Sequence, residues 1–249
     1  MSVPAKPGLL QYLHAILNIF QSFIILIVLA AIALAGAIIF LGRLQNFIFE
    51  KIYARAARMV LRVNGVRLAV HTLQPVDRSV VYIINHSSTL DMFIIASLAL
   101  PRTRYVAKYE FLYNPIFLVL GKASGQIFVK RQDREKAVSA LHKSYARIRK
   151  KNYSLLVAPE GTRKHEGLIG PFKKGAFRIA LDLQYPIVPI HIKGARELCP
   201  GRSLFVHSGT VNVQFHPPIE TSSWSLDSLD KHIQSLRDQY VDWETTSPE

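Results

Sequence analysis

Val80-Val81-Tyr82-Ile83-Ile84-Asn85-His86-Ser87-Ser88-Thr89-Leu90-Asp91 is the stretch whose reading decides the fold. Its first five residues form an apolar, mostly β-branched run, which reads as a buried strand. Ser87, Ser88 and Thr89 follow as helix-capping types, and the apolar Asp91–Leu100 then reads as a helix. A strand that ends in a polar turn and enters a helix is the repeating unit of α/β proteins, which place their chemistry at strand ends. Six more short β-like runs surround it: Val66–Thr72, Thr103–Lys108, Gln126–Arg131, Ser154–Ala158, Ile187–Lys193 and Thr210–His216. Helical stretches lie between and after them, at Asp133–Lys151, Lys173–Leu183 and Leu226–Val241. Asp133–Lys151 carries Ala137, Leu141, Tyr145 and Ile148 at helical spacing, with Asp133 as its N-cap. The fold class expected is α/β, a central, largely seven-stranded sheet flanked by helices and preceded by an N-terminal apolar helical membrane anchor.

The anchor is read from Phe23–Leu41, 19 residues without a charge and with only Gly36 to interrupt them. About 20 apolar residues cross the hydrocarbon core of a bilayer. Leu9–Phe20, just upstream, is apolar as well. Three arrangements fit: one spanning helix, two helices forming a hairpin or lying in one leaflet, or a cleaved signal peptide. The run is longer than a secretory apolar core, and its flanking charge is wrong for one. Only Lys6 precedes it, whereas Arg43, Lys51, Arg55, Arg58, Arg62 and Arg67 follow. By the positive-inside tendency the body lies on the cytoplasmic side, at the inner or plasma membrane if the source is bacterial. The juxtamembrane helix, with Ile52, Ala56, Met59 and Val60 as its apolar side, either holds anionic head groups or is merely solvated. The expected organisation is an anchor with its basic helix over 1–62, a catalytic domain over 63–244 and a frayed tail over 245–249.

Charge is distributed unevenly. The whole chain carries +14, but Arg43–Arg178 holds 25 basic and 8 acidic residues while Glu220–Glu249 holds 2 and 7. Such a basic body attracts anionic membrane surfaces, acidic proteins or nucleic acid. No nucleic-acid recognition motif is present, so that partner is excluded. The single cysteine, Cys199, precludes an internal disulfide.

Chemistry-bearing residues gather at strand ends. His86 and Asp91 stand five apart, so a carboxylate on the first helical turn can reach an imidazole in the turn before it. That is the arrangement of a general base with its orienting partner; the same residues could also make a plain capping loop. Ala158-Pro159-Glu160-Gly161-Thr162-Arg163 follows another apolar strand and brings a carboxylate, a hydroxyl and a guanidinium to the same sheet edge. Arginine's planar fork suits phosphate oxygens, although an ordinary strand–loop junction with a surface ion pair reads the same way. Gly125-Gln126-Ile127-Phe128-Val129-Lys130-Arg131 is a third strand ending in cations, and Ile187-Val188-Pro189-Ile190 is a fourth, apolar and proline-bearing. Proline within a strand marks an edge, a bulge or a close approach to a ligand. Phe172-Lys173-Lys174-Gly175-Ala176 adds cations before a helix.

The ordered set H-x4-D, G-x-I-F-x-x-R, P-E-G-T-R and V-P-[IV], spread over roughly Arg67–Thr210, resembles the glycerolipid acyltransferases, most closely the 1-acylglycerol-3-phosphate acyltransferases. The resemblance implies that His86 is the general base and Asp91 its partner. It implies an acceptor phosphate site formed by Arg131, Glu160, Gly161, Thr162 and Arg163, with Lys108 in the matching place after an earlier strand. It places Pro189 on the acyl-donor side. It implies no cofactor and no metal, with acyl-CoA or acyl carrier protein as co-substrate and lysophosphatidic acid as the membrane-lipid acceptor. Two departures stand out: Lys130 replaces the acidic residue many members carry, and Lys164 replaces a serine. These extra cations suit a phosphate-bearing acceptor or another anionic lysolipid, such as a lyso-ornithine lipid. A non-catalytic basic membrane-binding protein is the reading from a different class.

The chain also lacks a G-x-S-x-G nucleophile elbow, since Ser124 has the wrong spacing. Cys199 lies in a Pro-Gly context without a basic neighbour. The remaining histidines show no metal-ligand spacing, and there is no phosphate-binding loop or dinucleotide fingerprint. A direct acyl transfer without an acyl-enzyme is the chemistry these residues support.

Overall fold

The computed structural model describes residues 9–41, 43–71, 76–130, 143–163, 168–201 and 203–246. Seven strands form one sheet: β1 (Val66–His71), β2 (Val81–Ile84), β3 (Thr103–Lys108), β4 (Ile127–Val129), β5 (Ser154–Val157), β6 (Ile187–Lys193) and β7 (Gly209–Phe215). Each falls on one of the β-like runs of the sequence. Their spatial order is β1-β7-β6-β2-β5-β3-β4. Every pairing is parallel except β6 with β7. β2 therefore lies between β5 and β6, strands more than seventy residues later in the chain, and the ends of these three strands share one edge.

The side chains of β2, β3, β5 and β6 alternate between two cores. Val81, Ile83, Leu155, Val157 and Ile187 face one side, with α5 (through 143–150), α6 (Lys174–Leu183) and α8 (Leu229–Thr245). Ile84, Leu156, Ile190 and Ile192 face the other, with α3 (Asp91–Ser97) and α7 (Ala195–Leu198). Strands covered on both faces lose the polar alternation of an exposed sheet, which is why β5 and most of β6 are buried throughout. Pro189 is mid-strand yet harmless. Its carbonyl accepts from His216 N, just past the end of β7, so the side of the strand on which it lacks an N–H is where the β7 pairing stops.

At the N-terminus the structure has the single helix of the first arrangement rather than the two of the second. Leu9–Ile39 is one unbroken helix, α1, including the upstream Leu9–Phe20. An 18-residue window within Tyr12–Ile39 has a mean hydropathy of 3.0, and the helix is long and apolar enough to cross a membrane. The hairpin is made instead with the basic helix α2 (45–63), in which Gln45–Phe47, a π-helical Ile48–Tyr53 and Ala54–Val63 run on without a break. α2 returns antiparallel along α1. A Cβ on Gly36 would touch Ile48, near its start, and Asn64, just past its end, donates to the Ser22 hydroxyl at 3.0 Å.

A π turn, Ile48–Tyr53, lies early in α2. One extra residue in a turn rotates the following side chains by about 100°. The inward residues are Phe49, Tyr53, Ala57, Val60 and Leu61; of the expected apolar side, Val60 is among them, Ile52 and Ala56 are partly buried beside them, and Met59 is 51% exposed. Polar ties fix α2 to the body. Arg58 donates twice to the Ser97 carbonyl (3.0 and 2.7 Å), Tyr53 donates to the Leu120 carbonyl (2.7 Å), and Glu50 accepts from Arg102 N (2.7 Å). Gly125, at φ +69°, lies so close to Gln45 that a Cβ would stand 2.6 Å from its Oε1. A further helix missed in the sequence, α4 (Pro115–Ala123), has Asn114 as N-cap, accepting from Ile116 N and Phe117 N. It packs against α1 and α2 through Leu120 and Ala123.

Candidate active site

The exit of β2 is held open by side chains that stand in for a strand. Tyr240 of α8 inserts its hydroxyl between β2 and β6, donating to the Ile83 carbonyl (2.7 Å) and accepting from Ile190 N (3.1 Å). Burial pushes the Tyr240 hydroxyl well above its ordinary pKa, which keeps the donor in place. One step further, Asn85 donates to the Ile192 carbonyl and accepts from Ile192 N, both at 2.8 Å. Its amide copies a peptide and leads the chain into the turn that carries His86.

Asp91, the first residue of α3, folds its carboxylate back across that turn. A single oxygen, Oδ2, accepts from His86 Nδ1 (2.7 Å), Ser87 N (2.9 Å) and Ser88 N (3.0 Å). A carboxylate only accepts, so Nδ1 of the neutral ring carries the hydrogen and Nε2 keeps its lone pair. The Asp91 side chain is 1% exposed and that of His86 28%. The acid is thus hidden behind the ring while the ring edge stays accessible, which is the geometry of an oriented general base.

His86 opens on a cavity of about 460 Å³. Its polar end is formed by His86, Lys108, Gly161, Thr162 and Arg163, gathered from the C-terminal ends of β2, β3 and β5. The rest is mostly apolar, with Leu26 and Leu29 of α1, Phe49 and Tyr53 of α2, Phe93 and Ile95 of α3, and Tyr105, Leu120 and Phe128, joined by Ser124 and Gln126. α1 and α2 are therefore walls of the cavity. A base, two cations and a hydroxyl at one end of a lipid-like slot can activate a hydroxyl on an anionic amphiphile whose reaction partner carries an apolar chain.

Residues 67–193 match the family model described as Acyltransferase. The chain belongs to the acyltransferase family. It is 29% identical over 238 residues to a 1-acyl-sn-glycerol-3-phosphate acyltransferase of Limnanthes douglasii, covering 95% of this chain and 85% of that protein. It is 30% identical over 181 residues to the protein of the same name from Escherichia coli, covering 70% and 73%. The crystal structure of the 1-acyl-sn-glycerophosphate acyltransferase of Thermotoga maritima superposes with a TM-score of 0.74 over 96% of this chain and 100% of that one, at 20% identity. That likeness concerns the fold.

Within this acyltransferase the other expected site residues take distinct places. Glu160 does not face the cavity. It is 2% exposed, with Oε1 accepting from His86 N and Oε2 from Gly170 N, both at 2.7 Å. It fastens the His86 turn to the segment before α6. Pro189 lies in the interior of β6, outside the cavity lining. Arg131 lies outside the described residues. Lys130, beside it, sits over the Tyr109 ring at 4.7 Å. Arg163 donates from Nη1 to the Thr89 hydroxyl at 3.3 Å, which links the loop after β5 to the His86 turn. Cys199 is fully buried, and burial pushes its thiol up, against the thiolate a nucleophile needs. Asn85, Tyr240 and the α1–α2 wall escaped sequence reading. Only Asn85 left a signal, a polar residue ending an apolar strand.

Proposed function

We propose that this acyltransferase moves a fatty acyl group from an acyl thioester, carried by coenzyme A or by acyl carrier protein, to the free sn-2 hydroxyl of lysophosphatidic acid, giving phosphatidic acid. The observation that carries the reading is the 2.7 Å contact of His86 Nδ1 with buried Asp91, at the polar end of a cavity shared with Lys108 and Arg163. The names of the relatives and the ordered motifs support the same acceptor.

In this reading Nε2 of His86 takes the hydroxyl proton as the oxygen attacks the thioester carbonyl. Cations and backbone amides at the polar end stabilise the tetrahedral oxyanion. The C–S bond then breaks, and the departing thiolate takes the proton back from His86. Asp91 stabilises the imidazolium in between. Arg163 and Lys108, with Arg131, hold the acceptor phosphate, and the apolar cavity holds the donor chain. α1 keeps the enzyme at the bilayer, with the body on the cytoplasmic side and Lys51, Arg55 and Arg62 against anionic head groups.

The test is phosphatidic acid formation from lysophosphatidic acid and a long-chain acyl thioester in detergent micelles, for the wild type and His86→Ala. Product from the wild type alone is expected. Near-normal turnover by His86→Ala rules the mechanism out. Parallel assays with acyl-CoA and acyl carrier protein, and with other anionic lysolipids, identify the donor and test the acceptor.

A further inference from the structure

The turn that carries His86 is gripped from outside by a strap of chain between α7 and β7 that bears no motif. Pro200 pairs with Ser88 in an isolated antiparallel bridge. The Ser88 hydroxyl, fully buried, donates to the Cys199 carbonyl at 2.6 Å and accepts from Leu90 N at 3.0 Å. The Thr89 hydroxyl donates to the Ser203 carbonyl at 3.0 Å and accepts from Arg163 at 3.3 Å. Beyond the strap, the Phe205 ring stands edge-on to Tyr12 of α1 at 5.7 Å, so its far end rests on the anchor.

Gly201 is the point where this strap meets both functional loops. A Cβ there would lie 2.6 Å from the Arg163 Cβ, 3.0 Å from the Arg163 carbonyl oxygen and 3.1 Å from the Ser87 carbonyl oxygen. These are main-chain and β-carbon atoms, which cannot swing aside as the tip of a side chain can. The missing side chain lets the strap touch the loop after β5 and the turn after β2 at once.

We propose that Gly201 is a positioning residue that sets the span between His86 and Arg163, the distance over which the acceptor must present its phosphate to one and its hydroxyl to the other. The proposal rests on the acceptor reading given above. A bound geometry displaced by about 1 Å costs on the order of 100-fold in rate, so a forced shift of a few tenths of an ångström matters here.

The experiment is a double-mutant cycle on the full chain in micelles. Gly201→Ala is expected to lower kcat/KM for lysophosphatidic acid by about tenfold or more, and in the Arg163→Ala background by less than about twofold, because the position it disturbs no longer carries a phosphate ligand. Equal losses in both backgrounds mean a merely structural role and overturn the proposal, as does a Gly201→Ala enzyme with wild-type kinetics. Thermal unfolding reports whether Gly201→Ala folds. If it does not, Thr89→Val, which cuts the link between the strap and Arg163, carries the same cycle with the same criteria. A wild type that makes no phosphatidic acid, or an active His86→Ala, overturns the acceptor reading and the proposal together. An active wild type and inactive His86→Ala with additive losses overturn the proposal alone.

Discussion

Replacing Asp91 with Asn tests the oriented-base geometry with almost no change of shape. Three N–H groups converge on Oδ2, and the carboxylate is sealed from solvent. The amide oxygen of asparagine can still accept them, but without a charge to stabilise the imidazolium that forms when His86 takes the hydroxyl proton. Charge centres about 4 Å apart, at an effective dielectric near 20, attract by about 4 kcal/mol. At roughly 1.4 kcal/mol per tenfold, losing that attraction in the transition state lowers kcat by about 10³. If the amide flips, its NH2 faces Nδ1 and forces the hydrogen onto Nε2, which abolishes the base and deepens the loss. In the unflipped orientation the fold should survive, because the isosteric side chain keeps its acceptor for Ser87 N and Ser88 N, whereas the flipped one turns its NH2 on both amides and lowers the thermal midpoint too. The assay is the initial rate of phosphatidic acid formation at saturating acceptor, with the thermal midpoint measured alongside. An Asp91→Asn enzyme that folds and keeps more than about a tenth of wild-type kcat refutes the ion-pair argument, since it caps the attraction at about 1.4 kcal/mol.

Three further outcomes are expected. Glu160→Gln leaves one of the two amides, His86 N or Gly170 N, facing an NH2 group, a loss of about 1–3 kcal/mol; kcat should fall while the acceptor KM stays within about twofold, and a large rise in that KM with kcat intact would make Glu160 a phosphate ligand instead. Asn85→Ala strips both partners from Ile192 and should lower unfolding free energy by about 2–4 kcal/mol, as read by urea titration, whereas a change below about 0.5 kcal/mol contradicts the strand-mimic role. His216, stacked on Trp243 at 3.4 Å, has its pKa lowered by burial from 6.5 to about 4. The unfolded chain therefore takes up that proton first as pH falls, and stability present at neutral pH is lost between about 6.5 and 4, by on the order of 1–2 kcal/mol for a partly exposed ring; His216→Phe should flatten that part of the stability–pH curve, and an unchanged curve contradicts the assignment.

Much of this protein was legible in its sequence because the relevant contacts are short in chain length. The central strands β2, β5 and β6 are buried on both faces, and such strands appear as compact β-branched runs whatever their neighbours are, while β1 and β7 leave one face partly exposed. His86 and Asp91 are five residues apart, so a turn and the first residue of a helix suffice to join them. The apolar length of α1 is likewise a property of one segment. Of the apolar side expected for α2, Val60 is buried, Ile52 and Ala56 are partly buried and only Met59 points away, because how far a helix turns against its partners is set by the packing and not by its own composition.

What the tertiary structure alone decided depends on distant parts of the chain meeting. Sheet order sets β2 between β5 and β6, and that order brings Arg163 beside a turn seventy-odd residues earlier. Glu160 is a carboxylate in a phosphate-site motif by sequence, yet burial against two backbone amides makes it a strut. Leu26 and Phe49 become cavity walls only because α1 and α2 pack onto α4. Gly201 is an ordinary loop glycine until two other loops close on it. Residue type and spacing determine which groups can do chemistry; close packing between segments that are remote in the chain determines which of them share a cavity and which stand behind it.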